Sequence, residues 1–315
     1  MRVLIFGAGA IGSVLGGFLA EAGHDVTLLG RAWHLDVVRR DGLRVSGLWG
    51  EHHIRPTAVA TAVEQTPPGP YDWVFVCVKA HQTAAAALEL PRLLGPSTNV
   101  CAFQNGLGNY ETLSAHIPRE RIALGRVIFG VELTPGHARV TVCADDVVIG
   151  APPGGAGEPV VRRLVEALRT SGIPCRAAPD ILTVLWSKVL YNCALNGLAT
   201  LFDVPYGRLP ELPGARRLME AVVREAYQAA AAGGIRLEPS TATACLEWLF
   251  TRLIPDTAAH RPSMLRDIDA GKPTEIDALN GAVVRLADAH GIPAAANALV
   301  TRLVHAKEQF VRAGR

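Results

Sequence analysis

The fold of this chain is decided close to its amino terminus, where the sequence reads Val3-Leu4-Ile5-Phe6-Gly7-Ala8-Gly9-Ala10-Ile11-Gly12. A short apolar strand runs directly into a G-x-G-x-x-G pattern that opens a helix. In this pattern the first glycine permits a tight turn, the second admits a pyrophosphate close to the backbone, and the third lets the helix pack on the sheet. The stretch therefore predicts a dinucleotide-binding βαβ unit, whose cofactor-binding residues are Gly7, Ala8, Gly9, Ala10, Ile11 and Gly12.

The same region has to be distinguished from a signal peptide or a membrane helix, because residues 3–20 carry no charge and follow Arg2. The stretch is diluted by glycines at positions 7, 9, 12, 16 and 17. Their spacing fits a strand, a tight turn and a helix. We therefore expect the region to be a retained part of the fold.

The bulk composition excludes several classes of protein. Apolar residues make up 49% of the chain and charged residues 19%, which is typical of a compact globular protein. The net charge of +2, with both signs evenly mixed, predicts neither a nucleic-acid nor a membrane partner, so we expect a small-molecule ligand. Six cysteines without a C-x-x-C pair indicate buried thiols and a cytoplasmic protein.

The first half of the chain alternates short β-branched runs with helical patterns, which predicts a parallel sheet. The expected strands are 3–6, 25–29, 73–78 and 99–103, with helices after the first, third and fourth, and shorter strands near 42–60. Around the turn Pro135-Gly136 we expect an antiparallel hairpin at one edge of this sheet. A helix over 160–170 and a strand over 173–177 complete the domain.

Beyond residue 180 the pattern is helical throughout. One helix is expected over 215–232, ending at Gly233-Gly234, and another over 274–290, opened by a Thr-x-x-Asp cap. The sequence thus predicts an α/β Rossmann-type domain over residues 1–179 and an all-α domain over residues 180–315.

Three further residues lie just past expected strand ends, where open α/β sheets bind their ligands. The second strand ends without the acid that would bind the ribose hydroxyls of NAD, and Arg31 follows it. A guanidinium suits a 2′-phosphate, so NADPH is favoured over NADH, although a solvated loop charge also explains Arg31. Lys79 and Asn105 follow the third and fourth strands, although a loop position and an Asn-Gly turn also explain them.

The most informative stretch of the second half is residues 186–196. Lys188, Asn192 and Asn196 are four residues apart, so they share one face of a helix that is otherwise apolar. A lysine with two amides and no carboxylate beside it is poorly explained by stability, because desolvation disfavours the charge. Burial would lower its pKa toward the range of a general acid, although a polar surface stripe has the same spacing.

A third cluster spans residues 261–277. Ser263 is placed to hydrogen-bond a substrate carboxylate, and Glu275 is expected in the first turn of a helix, where an acid also favours the dipole. The ten histidines are scattered along the chain, so no metal site is predicted.

With these residues assembled, the chain resembles the ketopantoate reductase family over nearly its full length. The resemblance implies NADPH as the hydride donor, a small 2-keto acid as substrate, and a place in pantothenate biosynthesis. It also implies that Lys188 is the general acid, and that Asn192, Asn196 and Ser263 bind substrate. Asn105 and Glu275 would work where the nicotinamide meets the substrate.

One departure from the family's sequence pattern bears on which keto acid the protein would accept. Where the family often has an asparagine that helps to bind substrate, this sequence has Tyr206. A reductase of another 2-keto acid therefore stays open. Two further alternatives do not depend on Tyr206: an oxidative opine or hydroxyacid dehydrogenase, and an NADPH-binding sensor without chemistry. The oligomeric state, a homodimer included, also stays open.

Overall fold

The computed structural model describes residues 1–314, which divide into two compact units. The first unit contains Met1–Asn105 and Asn109–Ile181, and the second contains Gly106–Gly108 and the chain from Leu182 onward. The expected fold class, an α/β domain followed by helices, is confirmed. Among the described helices, none has the length and apolar character needed to cross a bilayer.

The first unit is built on two β-sheets. Its strands are β1 (Arg2–Phe6), β2 (Asp25–Leu29), β3 (Leu43–Gly47), β4 (His52–Ile54), β5 (Ala58–Ala60), β6 (Trp73–Val76), β7 (Asn99–Ala102), β8 (Ile122–Arg126), β9 (Phe129–Thr134), β10 (His137–Cys143), β11 (Val147–Gly150) and β12 (Cys175–Ala177). The larger sheet has the order β12-β11-β8-β7-β6-β1-β2-β5. It is parallel from β5 to β8, and β11 runs antiparallel to β8. Its strand order on either side of β1 is that of a dinucleotide-binding sheet.

Helices flank the larger sheet, and helices joined by turns and loops form the described part of the second unit. They are α1 (Ala10–Glu21), α2 (Ala32–Asp41), α3 (Thr83–Glu89), α4 (Asn109–Ser114), α5 (Glu158–Thr170), α6 (Ile181–Phe202), α7 (Pro213–Ala232), α8 (Ala242–Trp248), α9 (Ile254–Asp256), α10 (Ser263–Asp269), α11 (Asn280–Ala289) and α12 (Ala295–Ala313). The expected helices near 160–170 and 215–232 are confirmed as α5 and α7.

Helix α1 lies between the two sheets, and two consecutive glycines make this packing close. A Cβ at Gly16 would lie 2.6 Å from the side chain of Leu28 in the larger sheet. A Cβ at Gly17 would lie 3.1 Å from the side chains of Leu43 and Ile54 in the smaller sheet. The helix that begins at the glycine motif is therefore clamped on both sides.

The expected hairpin is present as β9 and β10, but its predicted place at the edge of the larger sheet is wrong. Strand β10 instead pairs in parallel with β3, and the smaller sheet has the order β4-β3-β10-β9. Gly47 allows this pairing, since its φ is +104° and a Cβ there would lie 2.1 Å from the Val140 carbonyl oxygen. The edges of the larger sheet are β5 and β12.

Two other features of the first unit go beyond what the sequence predicts. Helix α2 follows the second strand, where no helix was expected; it buries His34, Leu35 and Val38 and ends before Gly42. The short strands expected near 42–60 are present, but they are divided between the two sheets, with β5 in the larger and β3 and β4 in the smaller.

A buried amide network stabilises the second unit. Asn280 in α11 donates to the Cys193 carbonyl of α6 and to Asn297 Oδ1 in α12, both at 3.1 Å. Asn297 in turn donates to the Val222 carbonyl of α7 at 3.1 Å and to a Glu225 carboxylate oxygen at 2.9 Å. Because buried polar groups are costly unless they are bonded, this network fixes how four apolar helices pack.

The predicted continuous helix over 274–290 is wrong in its first turn. Residues Ile276–Ala278 form a 3₁₀ turn, and α11 begins only after Leu279, whose φ and ψ are −108° and −105°. The Thr274 amide donates to Glu308 Oε1 at 2.7 Å, and the Thr274 hydroxyl accepts from the Ile276 amide at 3.3 Å. These bonds replace the expected cap.

A buried histidine joins the glycine-motif helix to the hairpin. His34 in α2 bonds through Nε2 to the Ser13 hydroxyl in α1 at 3.0 Å, and its Nδ1 lies 3.0 Å from the Gly136 amide. A neutral ring satisfies both contacts, because Nδ1 accepts while Nε2 donates. Burial lowers the pKa of His34 below its ordinary 6.5, and the Arg31 charge adds to this, while the Thr134 carbonyl, to which only a protonated Nδ1 could donate, opposes it.

We expect His34 to make the protein less stable as the pH falls. The unfolded chain takes up a proton near the ordinary pKa while the folded ring stays neutral, so the free energy of unfolding decreases as the pH falls through about 6.5. His34→Gln removes this pH-dependent contribution to the free energy of unfolding. The loss of unfolding free energy relative to the wild type should therefore be larger at about pH 8 than at about pH 5.5. Urea unfolding at both pH values measures it; equal differences would contradict the assignment.

Candidate active site

The glycine turn after β1 has the close contacts that its pattern predicts. Gly7 has a φ of +105°, and a Cβ on it would lie 2.7 Å from the Val78 amide nitrogen. A Cβ on Gly12 would lie 2.4 Å from the Gly7 carbonyl oxygen. Above Gly9 the space is open, with 4.0 Å to the nearest atom. The turn is thus tight where it meets the sheet and open at the glycine expected to face a phosphate.

The backbone amides of this turn divide into two groups. The Gly7 and Ala8 amides both donate to the Leu29 carbonyl at the end of β2, at 2.9 and 2.8 Å, so they hold the turn on the sheet. The amides of Ala10, Ile11 and Gly12 belong to the first turn of α1, which has no helical carbonyl to bond. These amides, at the positive end of the helix dipole, are suited to an anionic diphosphate.

Arg31 lies at the amino-terminal cap of α2, two residues past the end of β2, and is exposed. Its guanidinium carbon lies 5.7 Å from the centre of the exposed Trp33 ring, within cation–π distance. The preceding Gly30 abuts the glycine turn, since a Cβ there would lie 3.2 Å from the Ala8 nitrogen. Trp33 was not predicted as a site residue; its spacing of two from Arg31 at a helix start is its only signal in the sequence.

Lys79 and Asn105 both follow carboxyl ends of parallel strands, those of β6 and β7, and both are half-buried. Buried hydrogen bonds support the loop at Asn105. Gln104 donates to the Thr83 hydroxyl at 2.5 Å, Thr83 donates to Asn109 Oδ1 at 2.8 Å, and Asn109 donates to the Asn105 carbonyl at 3.1 Å. No pattern in the sequence indicated these supporting residues, because they lie in three separate segments: α3, the loop after β7, and α4.

Helix α6 carries Lys188, Asn192 and Asn196 on one face. Lys188 is half-buried and the two asparagines are buried, in a helix whose remaining residues from Val189 to Thr200 are almost all buried and apolar. The Asn196 side-chain nitrogen donates to Asn192 Oδ1 at 3.3 Å. An ammonium group and two linked amides on successive turns can bind and protonate an oxygen-rich anion.

Tyr206 extends this polar face. Its hydroxyl donates to Asn196 Oδ1, and the residue as a whole is only 5% exposed. We refer to Tyr206, Asn196 and Asn192 as the amide relay. Burial raises the pKa of the Tyr206 phenol far above its ordinary range, so the hydroxyl keeps its proton. The sequence marked Tyr206 only as a departure from the family pattern.

Ser263 and Glu275 lie elsewhere in the second unit. Ser263 is the first residue of α10 and is half-buried, while Glu275 precedes the 3₁₀ turn and is 7% exposed. The predicted helical first turn for Glu275 is therefore wrong, although the residue is buried. Across residues 1–314, no group of three or more His, Cys, Asp or Glu side chains is placed to hold a metal ion.

Two family models match this chain. The model described as ketopantoate reductase PanE/ApbA matches residues 3–154, and its carboxyl-terminal counterpart matches residues 180–308. The chain belongs to the ketopantoate reductase PanE/ApbA family. A family member named 2-dehydropantoate 2-reductase from Aquifex aeolicus is 40% identical over 311 residues, 98% of each chain. Another of that name from Halobacterium salinarum is 35% identical over 294 residues, 93% of this chain and 94% of its own.

Solved structures extend the likeness. A PanE/ApbA family ketopantoate reductase from Ralstonia eutropha JMP134 is 32% identical, with a TM-score of 0.88 over 99% of this chain and 100% of its own. A D-mandelate dehydrogenase, solved with NADH and anilino(oxo)acetate, is 27% identical, with a TM-score of 0.88 over 99% of each chain. The ketopantoate reductase fold thus also occurs in a protein named for a different hydroxy acid.

Two glycines after Asn105 allow a direct test of how the second unit holds residues 106–108. Gly106 has a φ of +82°, and a Cβ on it would lie 2.4 Å from the Ala278 carbonyl oxygen, whereas Gly108 has a φ of +90° with nothing within 4 Å. Both Ala variants are strained by the positive φ, but only Gly106→Ala meets backbone. We expect it to lose about 1–3 kcal/mol more unfolding free energy than Gly108→Ala. Urea unfolding measures this; similar losses would refute the contact.

Proposed function

We propose that this chain reduces 2-dehydropantoate to pantoate with NADPH, a step of pantothenate biosynthesis. The observation that carries the proposal is the face of α6, where Lys188 precedes two buried and linked amides. Support comes from the names of the relatives that are 40% and 35% identical over nearly the whole chain. The open glycine turn at the start of α1 supports a dinucleotide cofactor.

The preference for NADPH is proposed from Arg31. Strand β2 ends in Leu28 and Leu29, so no carboxylate stands where NAD enzymes bind the ribose hydroxyls. The exposed guanidinium of Arg31, held beside the Trp33 ring, suits a 2′-phosphate. The amides of Ala10, Ile11 and Gly12 would hold the diphosphate, and Lys79 and Asn105 would complete the cofactor site.

Reduction of a 2-keto acid adds a hydride to the carbonyl carbon and a proton to the carbonyl oxygen, and bound NADPH supplies the hydride. The Lys188 ammonium would give its Nζ proton to that oxygen as negative charge develops there. Asn192, Asn196 and Ser263 would donate hydrogen bonds to the substrate, and Glu275 would belong to the cofactor site where the nicotinamide meets the substrate. After product release, Lys188 regains its proton from solvent.

A second candidate is reduction of another 2-keto acid. It is favoured by Tyr206, which fills space beside the relay amides, and by the likeness to a D-mandelate dehydrogenase that was solved with an aryl-substituted oxo acid analogue. This candidate keeps the same residues and the same chemistry. The two differ in which acceptor has the highest kcat/KM.

Turnover should depend on Lys188. Following NADPH absorbance with a panel of 2-keto acids, we expect wild-type protein to reduce 2-dehydropantoate with the highest kcat/KM. Lys188→Ala should lower kcat by a factor on the order of 10² or more with the affinity for NADPH retained, because only the proton donor is lost.

Lys272→Ala is the matched control, since Lys272 is exposed. Normal turnover in Lys188→Ala would remove this residue from the mechanism. A different best acceptor would favour the second candidate, and oxidation of NADPH with none of the acids would leave a cofactor-binding sensor.

Arg31 should discriminate between the two cofactors. Arg31→Ala removes the charge proposed to meet the 2′-phosphate, so the Kd for NADPH should rise by about tenfold or more while the Kd for NADH changes little. Fluorescence titration with each cofactor measures the two constants. Arg40→Ala is the control, because Arg40 is an exposed arginine of the same helix that pairs with Asp41. Equal weakening of both cofactors would show that the guanidinium does not recognise the phosphate.

A further inference from the structure

Backbone hydrogen bonds and ring packing fix the position of Tyr206, apart from the bond of its hydroxyl to Asn196. Its backbone amide donates to the His260 carbonyl at 3.1 Å, and its ring centre lies 5.0 Å from that of His260. The next amide, of Gly207, donates to the Ala258 carbonyl at 3.0 Å. The position of the hydroxyl is therefore set by the backbone of two chain segments and by packing of the ring.

The turn after α6 brings Tyr206 back against that helix. Asp203 ends the helix with a φ of +54°, in the left-handed region that aspartate tolerates better than most residues. Its carboxylate pairs with Arg261. Because Ser263 begins α10 two residues after Arg261, the same turn that places Tyr206 also fixes the start of α10.

The direction of the hydrogen bonds determines what the relay offers a ligand. Asn196 Oδ1 accepts from Tyr206, and one Asn196 N–H donates to Asn192 Oδ1. Each amide oxygen thus already has a donor, whereas both N–H groups of Asn192 and one of Asn196 are not used within the relay. The relay therefore presents donors at its Asn192 end, one helical turn from Lys188.

We propose that Tyr206 is a positioning residue for the acceptor: by donating to Asn196, it holds both relay amides with their N–H groups available to the carboxylate of a 2-keto acid. This rests on the proposed function and names the part of the substrate that the relay recognises. Without the hydroxyl, the linked Asn196 and Asn192 amides can rotate together by half a turn: Asn196 Oδ1 would then accept from Asn192, and the Asn192 oxygen would lie where its donor stood. An oxygen facing a carboxylate is repulsive, so selectivity for anionic acceptors would fall.

Ring burial alone does not account for a tyrosine at this position. Phenylalanine would fill the same volume, and a buried hydroxyl is costly unless it is hydrogen-bonded. Among the described residues the phenol has one assigned partner, Asn196, and burial keeps it protonated. The direction of the relay is thereby constant over the pH range in which the protein would work.

Tyr206→Phe tests the proposal through the split between KM and kcat. We expect the KM for 2-dehydropantoate to rise about tenfold, kcat to change by less than about threefold, and the Kd for NADPH to stay the same. The ratio of kcat/KM for the keto acid to that for its neutral methyl ester should fall about tenfold. Lower kcat with unchanged KM and ester ratio would overturn the proposal.

Two further variants separate positioning from general damage to the fold. Tyr227 is another tyrosine of the second unit, and its hydroxyl donates to the Pro239 carbonyl at 2.5 Å, outside the relay. Tyr227→Phe should therefore leave KM and the ester ratio unchanged. Asn196→Ala should raise KM alone, and adding Tyr206→Phe to it should have little further effect, because the hydroxyl acts through Asn196. If the double variant raised KM by the product of the two single-variant factors, Tyr206 would not act through Asn196, and the proposal would be contradicted.

The relay is also measurable without any substrate. In ¹⁵N-labelled wild-type protein the Asn196 side-chain NH₂ should exchange slowly with solvent, and in Tyr206→Phe its exchange should be at least about tenfold faster. Unchanged exchange would show that the hydroxyl does not order the amide and would overturn the inference, whatever the enzyme reduces. If wild-type protein reduces no 2-keto acid while the exchange responds as expected, the proposed function fails and the ordering of the amides by Tyr206 stands.

Discussion

The close approach of a bare backbone to the first parallel strands is the constraint on which the rest of the first unit depends. Gly7 leaves no space for a Cβ against Val78, and Gly12 leaves none against the Gly7 carbonyl, so α1 begins directly on the sheet. Gly16 and Gly17 keep that distance short along the helix, toward one sheet and then the other. Without these glycines α1 would stand off from both sheets, and the amides of its first turn would not be held at the carboxyl ends of the strands.

The second unit uses side-chain amides for two different purposes. Asn280 and Asn297 bond to carbonyls of neighbouring helices, and their effect is to lock an apolar bundle in one arrangement. Asn192 and Asn196 bond to each other and to Tyr206, on the helix face that carries Lys188. All four are buried asparagines in helices, so residue type and spacing do not distinguish a structural asparagine from a site asparagine. Their hydrogen-bond partners distinguish them.

The sequence predicted those features that depend on neighbouring residues. The glycine turn, the first parallel strands, the helical second half and the shared face of α6 all follow from patterns within about twenty residues. Its errors arose where a distant residue decided the outcome. Strand β10 pairs with β3, far earlier in the chain; Glu308 takes the amide that a local cap at Thr274 would have used; and α2 was missed because only three of its residues are buried. Tyr206 departs from the family pattern, but its bond to Asn196 was not predictable from the sequence. That bond depends on the turn at Asp203, which brings Tyr206 back against α6.

Residues 106–108 interrupt the first unit and belong to the second, where the Leu107 amide donates to the Ala278 carbonyl at 2.8 Å. The helical unit is therefore discontinuous in the gene. A fragment that starts at residue 182 lacks one of its own hydrogen-bonding segments, and a chimaera joined at that point would combine a 106–108 loop from one parent with the Ala278 turn of the other. The two short stretches constrain each other across some 170 residues of chain, since a side chain at position 106 would meet the Ala278 carbonyl oxygen.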